Sequence, residues 1–372
     1  MRWIFWASVA VIAYTHLGYA AWLWLRSRWR FQPVKSGPCE PSVSIVMVVR
    51  NEAHVLESKL QNLLTLNYPA QQPEIVVVSD GSTDGTNEIL SEYAKNERVR
   101  VIVSQESRGK AAGLNDAIAA SHSEIVVFTD ARQPLEPEAV RLLAENFADP
   151  AVGCVSGELM LRNPGAGEAA KGLGLYWSIE KKIRELESAS GSVVGASGAL
   201  YAVRRKLLVP LPPETILDDV YLPMQVVRQG ARVVFEPRAR AWDAPNLGTG
   251  REFARKVRTL SGNYQLVQLA PWLLSRANPI RFEFVCHKLL RLVVPFALAF
   301  ALCASTFLPG TIYRVALVAQ VAFYGLSLLA MARLKGPLAR AADVAFTFVV
   351  LNTAAVVAFV NFVTGRRAVW IR

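Results

Sequence analysis

Three stretches decide the fold: SVSIVMVVRNE (42–52), EIVVVSDGSTDGT (74–86) and EIVVFTDAR (124–132). Each is a short β-branched run that closes on polar or acidic residues. A continuous apolar run of this length, bounded by turn formers, suits a strand buried on both faces. A fourth run, VRVIVS (99–104), fits the same pattern. Helical spacing fills the gaps: Val55, Leu56, Leu60, Leu63 and Leu64 within 52–66, then TNEILSEYAKN (86–96) and AAGLNDAIAA (111–120). Strands that alternate with helices predict an α/β fold with a doubly wound, mostly parallel sheet.

Such sheets bind ligands beyond the carboxyl ends of their strands. Asp80 and Asp130 close two of the predicted strands and so deliver carboxylates to one edge. SDGSTDGT also reads as a turn leading into a helix capped at Thr86. Turn chemistry accounts for Gly81, Ser82 and Gly85, but not for an acid at each of two strand ends. Lys110, in SRGKAAGLN, opens a helix; it is either a solvated lysine or a phosphate ligand beside a helix N-terminus. Asp218 and Asp219, in ILDDVYLPMQVVRQG, open another helix. They cap it and complement its dipole, or one serves as general base toward an acceptor hydroxyl. Adjacent carboxylates also raise one another's pKa. Arg255 and Arg258, in REFARKVRTLSGNYQ (251–265), share a helical face. They are a solvated surface or a clamp for a departing diphosphate.

Outside this region the composition changes. The 372 residues are 52% hydrophobic with a mean hydropathy of +0.25, and the excess lies in 3–25 and beyond 285. Residues 3–25 are long enough to span a bilayer, with Trp3, Trp6, Trp22 and Trp24 toward the ends and Arg26, Arg28 and Arg30 following at once. Charge placed after the apolar run predicts a retained anchor, with its N-terminus outside, rather than a cleaved signal peptide. The organisation expected is an anchor (1–30), a catalytic domain (31–265), an interfacial helix region (266–288) and a C-terminal membrane region (289–372). Spans are expected near 289–308, 312–332 and 342–364. Three such spans would leave Arg366, Arg367 and Arg372 outside, against the positive-inside rule. Asn352 and Asn361 make the last run the weakest span, so the expectation leans toward a cytoplasmic tail.

The net charge of +11 fits positive loops beside a membrane and an anionic donor. No stripe of basic and aromatic residues points to nucleic acid. Cys39, Cys154, Cys286 and Cys303 form no CxxC pair, and the four histidines show no zinc spacing.

Taken in order, VVRNE, VSDGSTDGT, GKAAGLN, FTDAR and LDDVYL with its following RxxR stretch resemble the family-two glycosyltransferases of GT-A fold (Rossmann-like, mostly parallel sheet). The membrane flanks are similar to the cellulose synthase and hyaluronan synthase-like subgroup. The resemblance runs from about Ser42 to Gln265. It implies an inverting, membrane-bound hexosyltransferase using a nucleotide-sugar, of UDP type, and a polysaccharide, oligosaccharide or lipid-linked acceptor. The catalytic domain would be cytoplasmic, at a bacterial inner membrane. Asp80 would contact the nucleobase, with Asn51, Glu52 and Lys110 around the nucleotide. Asp130 would hold Mg²⁺ or Mn²⁺ as the first carboxylate of a DxD motif. Asp219 would be the base, with Asp218 in place of the motif's Glu. Ser197, Gly198 and Ala199 would line the acceptor side, and Arg258 would neutralise the leaving diphosphate.

Two departures stand out. Arg132 occupies the place of the second DxD carboxylate, which leaves the metal one protein ligand. RKVRT (255–259) lacks the Trp of the processive synthases' QxxRW, which argues against polymer extrusion. The competing readings are a processive synthase, a nucleotidyltransferase, which would need a Gly-rich loop that VVRNEAHV lacks, and a non-catalytic nucleotide sensor.

Overall fold

In the computed structural model, which describes residues 1–68, 72–161, 169–243, 249–330 and 337–366, the alternation becomes real elements. The chain opens with α1 (Arg2–Ala13), passes a π-helical turn at Tyr14–Gly18 and continues as α2 (Tyr19–Trp29). Then come β1 (Val43–Val49), α3 (Ala53–Leu64), β2 (Glu74–Asp80), α4 (Thr86–Tyr93), β3 (Val99–Ser104), α5 (Lys110–Ala120) and β4 (Ile125–Thr129). α6 (Ala139–Glu145), β5 (Val152–Leu161), α7 (Ala169–Ser190), β6 (Leu200–Arg204), α8 (Asp218–Arg228) and β7 (Arg232–Asp243) complete the sheet region. After α9 (Thr249–Leu269), a short α10 (Arg281–Phe284) runs through a π turn into α11 (Leu290–Phe307), and α12 (Thr311–Leu329) and α13 (Pro337–Val363) follow.

The sheet order is β3-β2-β1-β4-β6-β5-β7. β1 pairs in parallel with β2 and β4, β2 with β3, and β5 with β7. β6 runs antiparallel to both β4 and β5, so Leu200 pairs with Thr129 at the edge where β4 ends. The alternation of strands and helices gave no sign of this reversed strand. β1 is buried along its whole length. Successive side chains point to opposite faces: Ile45 and Met47 pack with Leu56, Leu60 and Leu63 of α3. Val46 and Val48 face α5, in the same core cluster as Leu114, and that cluster extends across the sheet to Met224 and Val226 of α8. Gly113 permits the close seating of α5, since a Cβ there would lie 2.8 Å from Val48.

Among the described residues, four helices are long and apolar enough to cross a membrane: Arg2–Trp29, Arg281–Phe307, Thr311–Leu329 and Leu338–Val363. The second begins at Arg281, so the segment expected as an interfacial helix (266–288) is divided differently. Its first residues extend α9, Pro271–Leu274 form a 3₁₀ turn, and its last residues start a membrane helix. The tail beyond Arg366 lies outside the described residues.

A buried polar network joins the first two of these helices to the sheet domain. His287 places Nδ1 2.8 Å from Glu187 and Nε2 2.9 Å from Glu180. Arg291 donates to Glu180 at 2.8 Å, and Tyr19 donates its hydroxyl hydrogen to Glu187 at 2.6 Å. Arg26 pairs with Glu283 and with Ser190. Glu187 also accepts from the backbone N–H of Val194, which ties the network to the loop before β6. Removing one member of a buried ionic cluster strands the rest, at about 3–5 kcal/mol. Glu187→Leu should therefore lower the Tm of the detergent-solubilised protein markedly, and a Tm within error of wild type would contradict the network's structural role.

Candidate active site

The strand ends converge as expected, and the contacts assign each acid a different setting. Asp130 follows β4 and keeps a half-exposed side chain. Lys110, the first residue of α5, places its ammonium 3.1 Å from Asp130 and 3.2 Å from Asp218. Burial alone would depress the Lys110 ammonium; the charges of Asp130, Asp218 and Asp219 outweigh it and hold it above its ordinary range. Asp218 is buried and faces the Tyr201 hydroxyl at 3.4 Å. Tyr201 in turn stacks on Phe128, with ring centroids 4.5 Å apart.

Asp219 keeps partial access to solvent. Its carboxyl is pushed up to about 6, first by burial and then by the charge of Asp218, while the charges of Lys110 and Lys288 pull the other way. The Asp219 carbonyl accepts from Ala196 N–H at 2.7 Å. Gly198 stands over the carboxylate: a Cβ there would lie 3.2 Å from Oδ2. Ser197 N–H donates to Ser156 Oγ, and the Ala199 carbonyl accepts from Thr129 Oγ1. Ser197, Gly198, Ala199, Asp130 and Asp219 are thus brought together at one edge, because β6 runs against β4.

Asp80 sits otherwise than a free ligand would. It is 1% exposed, and its carboxylate accepts from Ser107 Oγ (2.8 Å), Arg108 N–H (2.7 Å) and Gly109 N–H (3.0 Å). In this structure it anchors the loop that presents Lys110. Asn51 has a φ of 55°, and its Oδ1 accepts from Thr83 N–H at 2.8 Å. Asn51 and Asp84 together stitch the first-strand loop to the turn after β2. The turn reading of SDGSTDGT holds for that segment, but the helix is not capped at Thr86: Gly85 is the capping residue, Thr86 is the first helical residue, and Asp84 accepts its N–H. Glu52 is engaged by Arg132 through both carboxylate oxygens, at 2.9 and 3.0 Å. The charge of Arg132 is therefore neutralised locally. Arg255 and Arg258 have different neighbours. Arg255 pairs with Glu252 and Asp243, while Arg258 lines a cavity shared with Lys110.

Two contributors escaped the sequence reading. Lys59 lies on the buried face of α3 between Leu56 and Leu60 and is 2% exposed. It donates to Thr129 Oγ1 at 2.9 Å and to the Gln133 carbonyl at 2.5 Å, bracketing Asp130. Burial pulls its pKa down to about 7 against the charge of Asp130. A lysine inside an apolar helical stripe was the available signal. The second is the end of α13, whose Phe362 and Arg366 line the Lys110 cavity. No sequence pattern linked it to the site.

Residues 44–209 match the family model for glycosyl transferase family 2. Among curated proteins, the chain is 26% identical over 229 residues to the poly-beta-1,6-N-acetyl-D-glucosamine synthase of Staphylococcus aureus (strain COL), covering 60% of this chain and 55% of that one. It is 26% identical over 234 residues to the synthase of the same name from Staphylococcus epidermidis, covering 62% and 56%. The chain spans about half the length of these relatives. Among solved structures, a mannosyltransferase from Pyrobaculum calidifontis, in complex with GDP-Man and Mn²⁺, superposes with a TM-score of 0.76 at 24% identity, covering 98% of this chain and 100% of that one. Residues 44–209 thus form a glycosyl transferase family 2 region, and the chain shares its fold with that mannosyltransferase.

The site predicts its own titration. Lys110→Met removes a charge that lowers the Asp219 pKa, so that pKa should rise further above about 6. Infrared difference spectra against Asp219→Asn would read the carboxyl directly; an unmoved pKa would separate Lys110 from Asp219.

Proposed function

We propose that the chain is a membrane-bound, inverting glycosyltransferase. It moves a sugar from a nucleotide-sugar, of UDP type, to a carbohydrate or lipid-linked acceptor, with Asp219 as general base. The observation that carries this is the placement of the Asp219 carboxylate at the sheet edge against Gly198, where a Cβ would lie 3.2 Å from Oδ2, with burial and the charge of Asp218 raising its pKa to about 6. A carboxylate of that pKa is ionised at neutral pH yet basic enough to take a hydroxyl proton. Asp218, fixed by Lys110 and Tyr201, supplies the charge that helps raise it. Arg258 and the N-terminus of α5 suit the leaving diphosphate. Asn51, Glu52 and Asp80 support the donor side by holding its loops in place. Arg255 supports it through Asp243, whose other oxygen accepts from Gln133 in the loop after Asp130.

The donor set is compatible with a divalent metal. Asp130 has one oxygen on Lys110 and a half-exposed side chain, and Mg²⁺ or Mn²⁺ is commonly held by one or two carboxylates plus substrate phosphates. When bound, the metal would supply charge neutralisation at the diphosphate.

The proposed placement is a catalytic domain on the cytoplasmic side of a bacterial inner membrane. The anchor, catalytic and C-terminal regions keep the division 1–30, 31–265 and 289–372, with the second membrane helix starting at Arg281. α12 runs back along α11, with Gln320 donating to the Leu298 carbonyl. The chain between Ala330 and Pro337 is shorter than the ~30 Å hydrocarbon core. α13 then ends beside Lys110 and Arg258. These facts support an α13 that starts and ends on the domain's side, with the basic tail there too, in agreement with the charge rule.

Asp219→Asn should cut nucleoside diphosphate release by about 10²–10⁴-fold, measured with a panel of UDP-sugars and GDP-mannose. Nucleotide-sugar binding with no turnover by wild type would favour the non-catalytic sensor. EDTA should abolish turnover and Mn²⁺ or Mg²⁺ restore it; full activity in EDTA would remove the metal from Asp130. Product mass then decides between one added sugar and a ladder.

A further inference from the structure

Lys59 is out of place by the rules that build the core. It is 2% exposed on the apolar face of α3, among Leu56, Leu60 and Leu63. Its described hydrogen bonds go to neutral oxygens, Thr129 Oγ1 at 2.9 Å and the Gln133 carbonyl. An ammonium buried this far carries a large dehydration penalty, and a methionine would fill the same space without it. Departures of this kind from the core pattern concentrate at functional sites.

The direction of the bonds shows what the ammonium reaches. A lysine only donates, so the Thr129 hydroxyl accepts from Lys59 and turns its own hydrogen elsewhere. The Ala199 carbonyl lies 2.9 Å from Thr129 Oγ1, against 3.4 Å for the Asp130 carbonyl, and takes that hydrogen. Lys59, Thr129 and Ala199 thus form a relay, and all three are buried. Hydrogen bonds in series strengthen one another away from water. The relay crosses where backbone pairing stops: the ladder between β4 and β6 ends at Thr129 and Leu200. On one side of the relay the next residue is Asp130. On the other, the residue before Ala199 is Gly198, which stands over the Asp219 carboxylate. The final acceptor is a backbone carbonyl, so the relay leaves the side chains of the loop 191–199 unconstrained.

We propose that Lys59 is a positioning residue that fixes the spacing between the two sides of the reaction, by tying the turn that carries Asp130 to the loop over Asp219 through Thr129. Buried behind Thr129, Lys59 meets neither substrate. The proposal rests on the glycosyltransferase reading of Asp130 and Asp219 and adds the part that sets their separation. Transfer requires the acceptor oxygen in line with the anomeric carbon, and a misplacement of about 1 Å can cost about 10²-fold in rate. A change in this spacing therefore acts on kcat rather than on the affinity for the donor.

The test uses the full chain in phosphatidylcholine nanodiscs, with Lys59→Met, Thr129→Val, the double variant and Thr129→Ser. Lys59→Met and Thr129→Val should each lower kcat for nucleoside diphosphate release, from the panel of UDP-sugars and GDP-mannose, by about 10–100-fold. Affinity for the nucleoside diphosphate released, UDP or GDP, should stay within about threefold of wild type. The double variant should be no slower than the slower single one, because both cut the same relay. Thr129→Ser, which keeps the hydroxyl, should recover most of the rate lost in Thr129→Val. The Tm of Lys59→Met should not fall. Hydrogen exchange gives a readout without turnover: Lys59→Met should speed exchange of the Ser197 and Leu200 N–H groups, on the far side of Thr129, by at least about threefold. Effects that multiply in the double variant, an equal loss of nucleotide affinity, or faster exchange confined to α3 and 129–133 would each overturn the proposal. If Lys59→Met does not fold, Thr129→Val decides, since it leaves the buried ammonium in place; a wild-type kcat there would overturn the proposal. Faster exchange at 197–200 in a protein that turns over none of the donors would instead sink the transferase reading and leave the mechanical link standing.

Discussion

A single ammonium, that of Lys110, makes the acidic edge of the sheet possible. Asp130, Asp218 and Asp219 are drawn together by the fold, and three carboxylates in a partly dehydrated cleft repel one another strongly. Lys110 touches two of them and sets the field on the third. Its position depends in turn on Asp80, whose three accepted hydrogen bonds fix the loop that begins α5. The buried Asp80 thus acts on the site at one remove, by setting where a cation stands. Lys59 works similarly from below, holding both ends of the turn that carries Asp130.

Most of the first half of the fold was legible because its cause is local. β1, β2, β3 and β4 are β-branched runs whose burial on both faces demands an apolar sequence. The acids at their ends break that pattern visibly. What was not legible came from pairings between distant parts of the chain. The reversal of β6 is decided by its neighbours β4 and β5, and nothing in LYAVR announces a direction. The separation of Arg255 from Arg258 follows from Asp243, twelve residues earlier, at the end of β7. The contribution of α13 to the cavity depends on tertiary packing against α9, with Tyr264 stacked on Phe362 at 5.1 Å. Apolar helices of this kind look alike in sequence whatever they pack against.

The polar network around His287 shows how the membrane helices and the sheet domain are held in register. Its members come from α2, α7 and the start of the membrane helix at Arg281. Apolar contacts alone would permit sliding, whereas a buried histidine facing two carboxylates accepts one alignment. Such clusters add little net stability over a well-packed apolar equivalent, and their best-attested use is to specify a register. The Glu187 link to Val194 carries that register into the loop that leads to Gly198 and Asp219.

The reversed strand has a consequence for how such a protein can diversify. Because β6 begins where β4 ends, the loop 191–199 enters the site from the opposite chain direction to the loops that follow β1, β2 and β4. The two halves of the cleft share an edge but no connecting segment. Changes of length or shape in the loop 191–199 need not disturb the register of β1, β2 or β4, which is set by their own ladders. The architecture combines a fixed set of parallel ladders with one loop that is free to vary.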